Sequence, residues 1–293
     1  MTYRIRIFSD FCDSKECKEN IERMCEANLI YNYGPNQEIY ITDGEFFTHA
    51  IVLNTASPII TFIPKKNIVG MALEPPEFLN INNNKVNINS FVEYVGKYVG
   101  KYFIGDKGNF PKPFVESQTF LWHITPPKEI PIKNKKMSII FSDKTWTFCQ
   151  NYRHIMVREI LKSNLPIDIY GRGCLLNNSL LINDNRIKGV FKDVEPYENY
   201  HFHICIENFQ TPHYFSEKII NPLLYGITPI YIGCYNIDKY FSSSVIKLSG
   251  SIDKDMELIK DIIYFPEKYK KDINIEMVKN KTNLLKNLDK IFA

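Results

Sequence analysis

Residues 206 to 233 read IENFQTPHYFSEKIINPLLYGITPIYIG and set an acid-amide pair, a tyrosine and a Ser-Glu-Lys triplet between two apolar runs. Ser216 has the residue type of a helix N-cap, and a helix starting there would aim free amide groups and its positive dipole end at an anion. Lys218 would fall in the first turn, where the dipole disfavours a cation, a placement that makes sense if a phosphate supplies the compensating charge. Glu217 could bond the hydroxyls of a ribose or another sugar. The plainer alternative is an amphipathic helix whose Glu and Lys are merely solvated. Pro222 removes one backbone donor inside that helix and should bend it.

Other elements must bring these groups together. After residue 136 the chain alternates strand and helix: MSIIFS, RHIMVREILKS, IDIYG, a polar loop, a short helix around 195 to 200, HFHICIEN, SEKIINPLLYG and TPIYIG. Strands joined by helices predict a parallel, doubly wound sheet, in which ligands sit at the carboxyl ends of the strands. The residues there are Ser142-Asp143-Lys144, Gly171-Arg172-Gly173, Glu207-Asn208 and Gly233-Cys234. Arg172, flanked by glycines, could offer its planar fork to a phosphate, or could be a surface arginine in a tight turn.

The first half alternates in the same way through YRIRIFS, KECKENIERMCEAN, HAIVLN, IITFI, NIVGMAL, SFVEYVGKYVGKYF and KYFIG. The run ITPPKEIPIKNKK, rich in proline and lysine, predicts an extended connection. The expected organisation is therefore an α/β protein with a domain over 1–130 and another over 137–272. A lysine-rich helical tail would pack outside or bridge them, its last helix, 275–293, joining the first domain. Two such domains facing across a cleft make a natural binding architecture.

Bulk properties narrow the function. The 293 residues are 44% hydrophobic with a formal charge of +3, enough for two cores but not for a polyanion-binding surface, so nucleic acid is not the expected partner. The opening MTYRIRIFSDF reads as a half-buried strand, and no run of eighteen apolar residues follows, so neither a signal peptide nor a membrane anchor is expected. Seven cysteines without a CxxC pair speak against a disulfide framework or a zinc knuckle. Together these predict a soluble protein of a reducing cytoplasm, with peripheral association at a membrane left open.

The motifs carry a resemblance. Glu207-Asn208, then Tyr214-Phe215-Ser216-Glu217-Lys218, then Pro229-Ile230-Tyr231-Ile232-Gly233 stand in the order that marks the donor-binding domain of the family-10 glycosyltransferases, the α-1,3/4-fucosyltransferase family. RHIMVREILKSNLPIDIYGRG and FPKPFVESQTFLWH resemble further parts of it. Phe209 and His213 depart from it, because the family usually places a small residue after the acid-Asn pair and often glycine before the tyrosine.

The resemblance implies two Rossmann-like domains of the GT-B type and an inverting transfer of sugar, with GDP-fucose as donor and a glycan hydroxyl as acceptor. It implies that Arg172 and Lys218 bind the diphosphate and Glu217 the ribose, with Tyr214 and Asn208 near the donor and Ser216, Glu207 and Ser142 completing that site. No cofactor or metal is then required, and no convincing Asp-x-Asp element is found. GMALEPPEFLN runs an apolar strand into Glu74 on a proline-stiffened loop, and Glu74 resembles by position the base that takes the acceptor proton; Glu77 is its rival, and a rigid turn with two solvated acids is the alternative. His123, Trp122, Phe114 and Phe120 are expected to pack, and neither Glu116 nor His123 is counted among the catalytic residues. Two other readings stay open: a UDP- or dTDP-linked donor, and a silent glycan-binding module that keeps the fold.

Overall fold

The computed structural model describes residues 2–27, 30–79, 87–121, 126–176, 184–192 and 194–293. His123 and Trp122 lie outside them. The chain divides into two compact units, one of Met1–Pro126, Thr211–Tyr214 and Lys279–Ala293, the other of Pro127–Gln210 and Phe215–Val278.

In the first unit six parallel strands, β1 (Tyr3–Phe8), β2 (Ile39–Ile41), β3 (His49–Leu53), β4 (Ile68–Met71), β5 (Lys101–Ile104) and β6 (Phe114–Glu116), are ordered β2-β1-β3-β4-β5-β6. Helices α1 (Ser14–Ala27) and α2 (Ile88–Tyr98) belong to it, together with the C-terminal residues Lys279–Ala293. Every residue of β3 and β4 is buried, as a parallel sheet covered on both faces requires. One face packs Ile5, Ile7, Ile51 and Met71 on Ile21 and Met24 of α1 and on Leu284, Leu288 and Ile291 near the C-terminus. The other packs Val52, Ile68 and Tyr102 on Phe91 and Val95 of α2, where Phe114 also lies. Phe120 is buried as well.

The second unit holds β7 (Lys135–Ile140), β8 (Ile167–Tyr170), β9 (Ile187–Gly189), β10 (Tyr200–Ile206), β11 (Thr228–Ile232) and β12 (Ile246–Lys247), all parallel, in the order β12-β11-β10-β7-β8-β9. Helix α3 (Phe148–Lys162) packs Met156, Val157 and Ile160 on Met137, Ile139 and Ile204. Beyond it come α4 (Glu217–Leu224), α5 (Asp238–Phe241) and α6 (Ile252–Tyr264). The lysine-rich tail continues as α7 (Pro266–Tyr269), α8 (Ile275–Thr282) and α9 (Leu288–Phe292).

Three expectations from sequence are corrected. IITFI, residues 59–63, is no strand: it lies between Pro58 and Pro64 with Ile59 and Phe62 exposed. Residues 195–199 form turns and not a helix. The polar loop before β10 contains the edge strand β9, and β2 and β6 are likewise short strands at sheet edges. All seven cysteines are free thiols. Among the described residues no helix is long and apolar enough to cross a membrane.

Candidate functional site

In the second unit the chain steps from β7 outward through β8 to β9, then returns to β10 on the other side and continues to β12. The order reverses between β7 and β10, and a crevice at the carboxyl ends of strands at such a reversal is where open α/β sheets bind ligands. A cavity of about 480 Å³ lies there. Ser142 follows β7, Arg172 follows β8, Asn208 follows β10, and Glu217 and Lys218 open α4; all five line it. So do Lys144 and Arg153, making four cations against one carboxylate.

The arginine turn is shaped by its glycines. Gly171 sits at φ +110°, and a Cβ there would stand 2.3 Å from the Phe141 carbonyl oxygen. Arg172 is thereby lifted outward, its side chain mostly exposed and its Nε 3.8 Å from Asp143.

Ser216 is the N-cap of α4, its hydroxyl accepting from the Lys218 amide. That hydroxyl also donates to Glu207 Oε2 at 2.7 Å, and the Ser216 amide donates to Glu207 Oε1 at 2.9 Å. Glu207 is 0% exposed and does not line the cavity. It fixes the start of α4 from beneath. Gly233 leaves room for it, since a Cβ there would meet Glu207 Cγ at 2.4 Å. Burial raises the Glu207 carboxyl above its usual range, although Lys218 pulls the other way.

The cation in the first turn of α4 therefore has a compensating charge already. Lys218 Nζ lies 2.9 Å from Glu217 Oε1 and 3.8 Å from Glu207 Oε2. Burial acts to lower its pKa, yet the two carboxylates hold it above the ordinary lysine value. The charge expected from a phosphate is supplied by the protein, and Lys218 reaches the cavity as a paired cation. Asp255 lies in an Asp-Lys-Asp run, but it is buried and accepts from Tyr152 and from the Ser249 and Gly250 amides, so it fixes the turn that precedes α6.

Arg153 was not singled out in the sequence. It is 4% exposed and reaches Ile206 O, Glu207 O at 3.3 Å, Asn208 Oδ1 at 3.4 Å and Ser142 Oγ at 3.4 Å. Its guanidinium ties the ends of β7 and β10 together beneath the cavity. The signal was present: Arg153 falls on the same helix face as Cys149, Met156, Val157 and Ile160, and a cation on an apolar stripe must have a buried partner.

Tyr214 is placed elsewhere. It groups with the first unit, where its hydroxyl donates to Glu74 Oε2 at 3.0 Å. It does not line the cavity of the second unit. Glu74 is half-buried, whereas Glu77 is exposed, so the two rivals have different surroundings. The loop carrying Glu74 is anchored from behind by Asn54, whose side-chain oxygen accepts from the Leu73 amide at 2.9 Å and whose amide donates to Asp10 at 3.2 Å. Asn54 is buried in the left-handed region at φ +50°, a costly conformation held by these contacts. His213 also takes a positive φ, 61°, a backbone conformation that favours glycine, and its Nε2 is 3.3 Å from Glu116.

A family profile described as glycosyltransferase family 10 (fucosyltransferase) C-term matches residues 130–253. A putative fucosyltransferase of Acanthamoeba polyphaga mimivirus is 29% identical over 168 residues, 50% of this chain and 27% of that protein. Alpha-(1,3)-fucosyltransferase B of Drosophila melanogaster is 36% identical over 92 residues, 30% of this chain and 20% of that protein. The chain thus spans about a fifth to a quarter of the length of these curated relatives. A crystal structure of an alpha1,3-fucosyltransferase with GDP superposes with a TM-score of 0.51 at 15% identity, covering 94% of this chain and 82% of that one; another with GDP-fucose gives 0.50. Both place the two parallel α/β units in the GT-B fold. Arg172, the Glu207–Lys218 constellation and Gly233 all fall inside the matched span, so the residues that shape this cavity lie in the part of the chain that is similar to the C-terminal domain of glycosyltransferase family 10.

Proposed function

We propose that the chain transfers fucose from GDP-fucose to a hydroxyl of a glycan acceptor with inversion at the sugar carbon. The observation that carries this reading is the cavity where the order of the second sheet reverses, with its four cations against one carboxylate. A nucleotide diphosphate is an anion of matching size, and such fixed cations stabilise the charge that grows on it as it leaves. Arg172 and Lys218 take the diphosphate, Arg153 supports them from beneath, Glu217 bonds the ribose, and Asn208 and Ser142 complete the wall.

The acceptor oxygen forms the new bond to the sugar carbon while the bond to the phosphate oxygen breaks and its electron pair leaves on GDP. Glu74 accepts the hydroxyl proton. Tyr214, hydrogen-bonded to Glu74, acts in this reading as a positioning residue for the base and not as a donor ligand. Side-chain cations and the start of α4 neutralise the diphosphate, so EDTA is expected to leave turnover unchanged.

The test separates binding from chemistry. In titrations GDP should bind more tightly than UDP or dTDP, and Arg172→Ala should weaken it by about 1.5–3 kcal/mol, the scale of a charged hydrogen bond. Glu74→Gln should keep nucleotide affinity while turnover, read by mass spectrometry over donor and acceptor panels, falls about a hundredfold or more. Glu77→Gln is the control with the smaller effect. Full turnover in Glu74→Gln rejects that base, preference for UDP changes the donor, and binding without turnover on any acceptor would leave a silent glycan-binding module.

A further inference from the structure

The first sheet reverses its order as well. From β1 the chain moves outward to β2, then returns to β3 and runs on to β6, so its reversal lies between β1 and β3. A cavity of about 540 Å³ opens there, and the charged groups in its lining are Arg6, Lys15, Asp13 and Asp43, two of each sign. The lining also holds a thiol, that of Cys12.

Cys12 has a second thiol against it. Its Sγ lies 3.4 Å from Cys17 Sγ, whereas a disulfide spans about 2.05 Å, so the two sulfurs stand about 1.4 Å short of bonding. Their surroundings differ. Cys12 is half-buried on the loop between β1 and α1 and opens on the cavity, where a small oxidant can reach it. Cys17 is 0% exposed on α1 and packs with Ile5 and Ile21 in the core. Burial holds its thiol well above the usual range, which leaves it inert except toward its neighbour. Cys174 is also partly buried, but its thiol donates to Ile169 O at 3.5 Å, and the other four cysteines are buried.

The loop that bears Cys12 also braces Glu74. Asp10, two residues earlier, accepts from the Asn54 side chain at 3.2 Å, from the Thr55 amide at 3.2 Å and from the Thr55 hydroxyl at 2.6 Å. Asn54 in turn accepts from the Leu73 amide, next to Glu74. On the far side of Cys12, Asp13 is tied to α1, its carboxylate accepting from the Glu16 amide at 2.8 Å and its carbonyl from the Cys17 amide at 3.0 Å. Cys17 is fixed in the core, so closing the gap between the sulfurs must move Cys12 toward α1, and the strain falls on the Asp10 anchor.

We infer that Cys12 and Cys17 are a redox-modification site whose disulfide draws Asp10 away from Asn54 and loosens the loop that carries Glu74. The oxidant is a hydroperoxide. The Cys12 thiolate attacks one oxygen of hydrogen peroxide, the O–O bond breaks, and the departing hydroxide leaves as water with the proton that Cys12 gave up. The Cys17 sulfur then attacks the Cys12 sulfenic acid, the S–O bond breaks, and that oxygen leaves as a second water with the Cys17 proton. Two thiols and one peroxide thus yield one disulfide and two waters, and a dithiol reverses the bond by exchange. Contact makes the second step intramolecular, which offsets the scarcity of thiolate at Cys17.

The bond and the loosening are tested without any donor; only their effect on turnover rests on the transferase reading above. Trypsin cleaves after Lys15 and Lys18, so residues 7–15 and 16–18 separate unless a disulfide joins them. After peroxide treatment and alkylation of the full chain, mass spectrometry should find these two peptides linked, and dithiothreitol should part them. Cys12→Ser should give no linked pair. Hydrogen exchange at the Leu73 amide should quicken in oxidised wild type and stay unchanged in Cys12→Ser. Turnover of the oxidised wild type should fall about tenfold or more, since an ångström of misplacement at a reacting group can cost that much, and dithiothreitol should restore it with GDP affinity constant throughout. The inference is overturned if peroxide leaves the peptides unlinked, if Leu73 exchange does not change, or if oxidation slows Cys12→Ser as much as wild type. A reduced chain that transfers no sugar would remove the transferase reading instead, leaving the peptide linkage and the Leu73 exchange to decide this site.

Discussion

Lys218→Met distinguishes what the lysine does for the fold from what it does for a nucleotide. Its bridge to Glu217 joins two partly exposed groups and contributes at most about 1 kcal/mol. The interaction with Glu207 matters more, because that carboxylate is wholly buried and loses the cation paired with it. Stripping one partner from a buried pair costs about 3–5 kcal/mol. Here the lower end applies: Lys218 is 25% exposed, the separation is 3.8 Å, and Glu207 keeps two donors from Ser216. The carboxyl, already raised by burial, can also take up a proton. A raised carboxyl stabilises the folded state most below its unfolded value and loses that contribution as pH rises through the folded value. Without Lys218 the folded value climbs further, and the loss extends toward neutral pH. Urea unfolding should therefore show a deficit of about 2–3 kcal/mol at pH 8 that shrinks below about 1 kcal/mol at pH 5. Adding Glu207→Gln should restore most of the stability at pH 8, while GDP affinity stays at least about tenfold down, as for a lost charged hydrogen bond. A variant as stable as wild type at pH 8 would refute the pairing, and a double variant that regains GDP affinity would refute contact with the diphosphate.

Two further perturbations test the buried polar framework. His203 is held neutral, its pKa pushed by burial down to about 3. The Ser138 hydroxyl spends its proton on Pro196 O at 2.6 Å, so the ring donates from Nδ1 to Ser138 at 2.7 Å. Its contribution is complete above the unfolded value near 6.5 and is lost as pH falls toward 3, about 2 kcal/mol by pH 5; the gap in urea midpoint between pH 7 and pH 5 should narrow in His203→Gln, and an unchanged gap would refute the assignment. At His213 the left-handed backbone predicts that His213→Gly stays within about 1 kcal/mol of wild type while the β-branched His213→Val costs about 2 kcal/mol or more. Equal melting temperatures for the two variants would contradict that.

The strands most legible from sequence are those that parallel pairing buries on both faces. HAIVL and TPIYI read as unbroken apolar runs because every residue in them is covered. Three-residue strands such as Ile39–Ile41 and Ile187–Gly189 give no period to detect, and only their hydrogen-bonded neighbours define them. IITFI misleads for the opposite reason. It has strand composition, yet Pro58 and Pro64 on either side of it leave no flanking backbone donor, and Ile59, Thr61 and Phe62 face water while Ile60 is buried.

At the candidate site, spacing along the chain found the groups that line the cavity but not those that hold them in place. Ser142, Arg172, Asn208 and Lys218 follow directly from asking what comes after each strand or opens the next helix, because a parallel sheet delivers all its carboxyl ends to one edge. Glu207 satisfies the same rule and is buried, since Gly233 beside it opens a space that its side chain fills. Tyr214 stands two residues before Ser216, yet its hydroxyl bonds a glutamate 140 positions earlier, a contact to which local pattern is blind. The net charge of +3 hides the largest contrast of all. Four cations meet one acid in the cavity of the second sheet, whereas the cavity of the first is balanced, so sheets with the same kind of reversal are chemically specialised by the few residues that follow their strands. Exchanging Asp43 for a lysine should then give the first unit an affinity for pyrophosphate that the wild type lacks, whereas neutral Asp43→Asn should not; pyrophosphate binding by both variants, or by neither, would show that charge balance does not set what that cavity accepts.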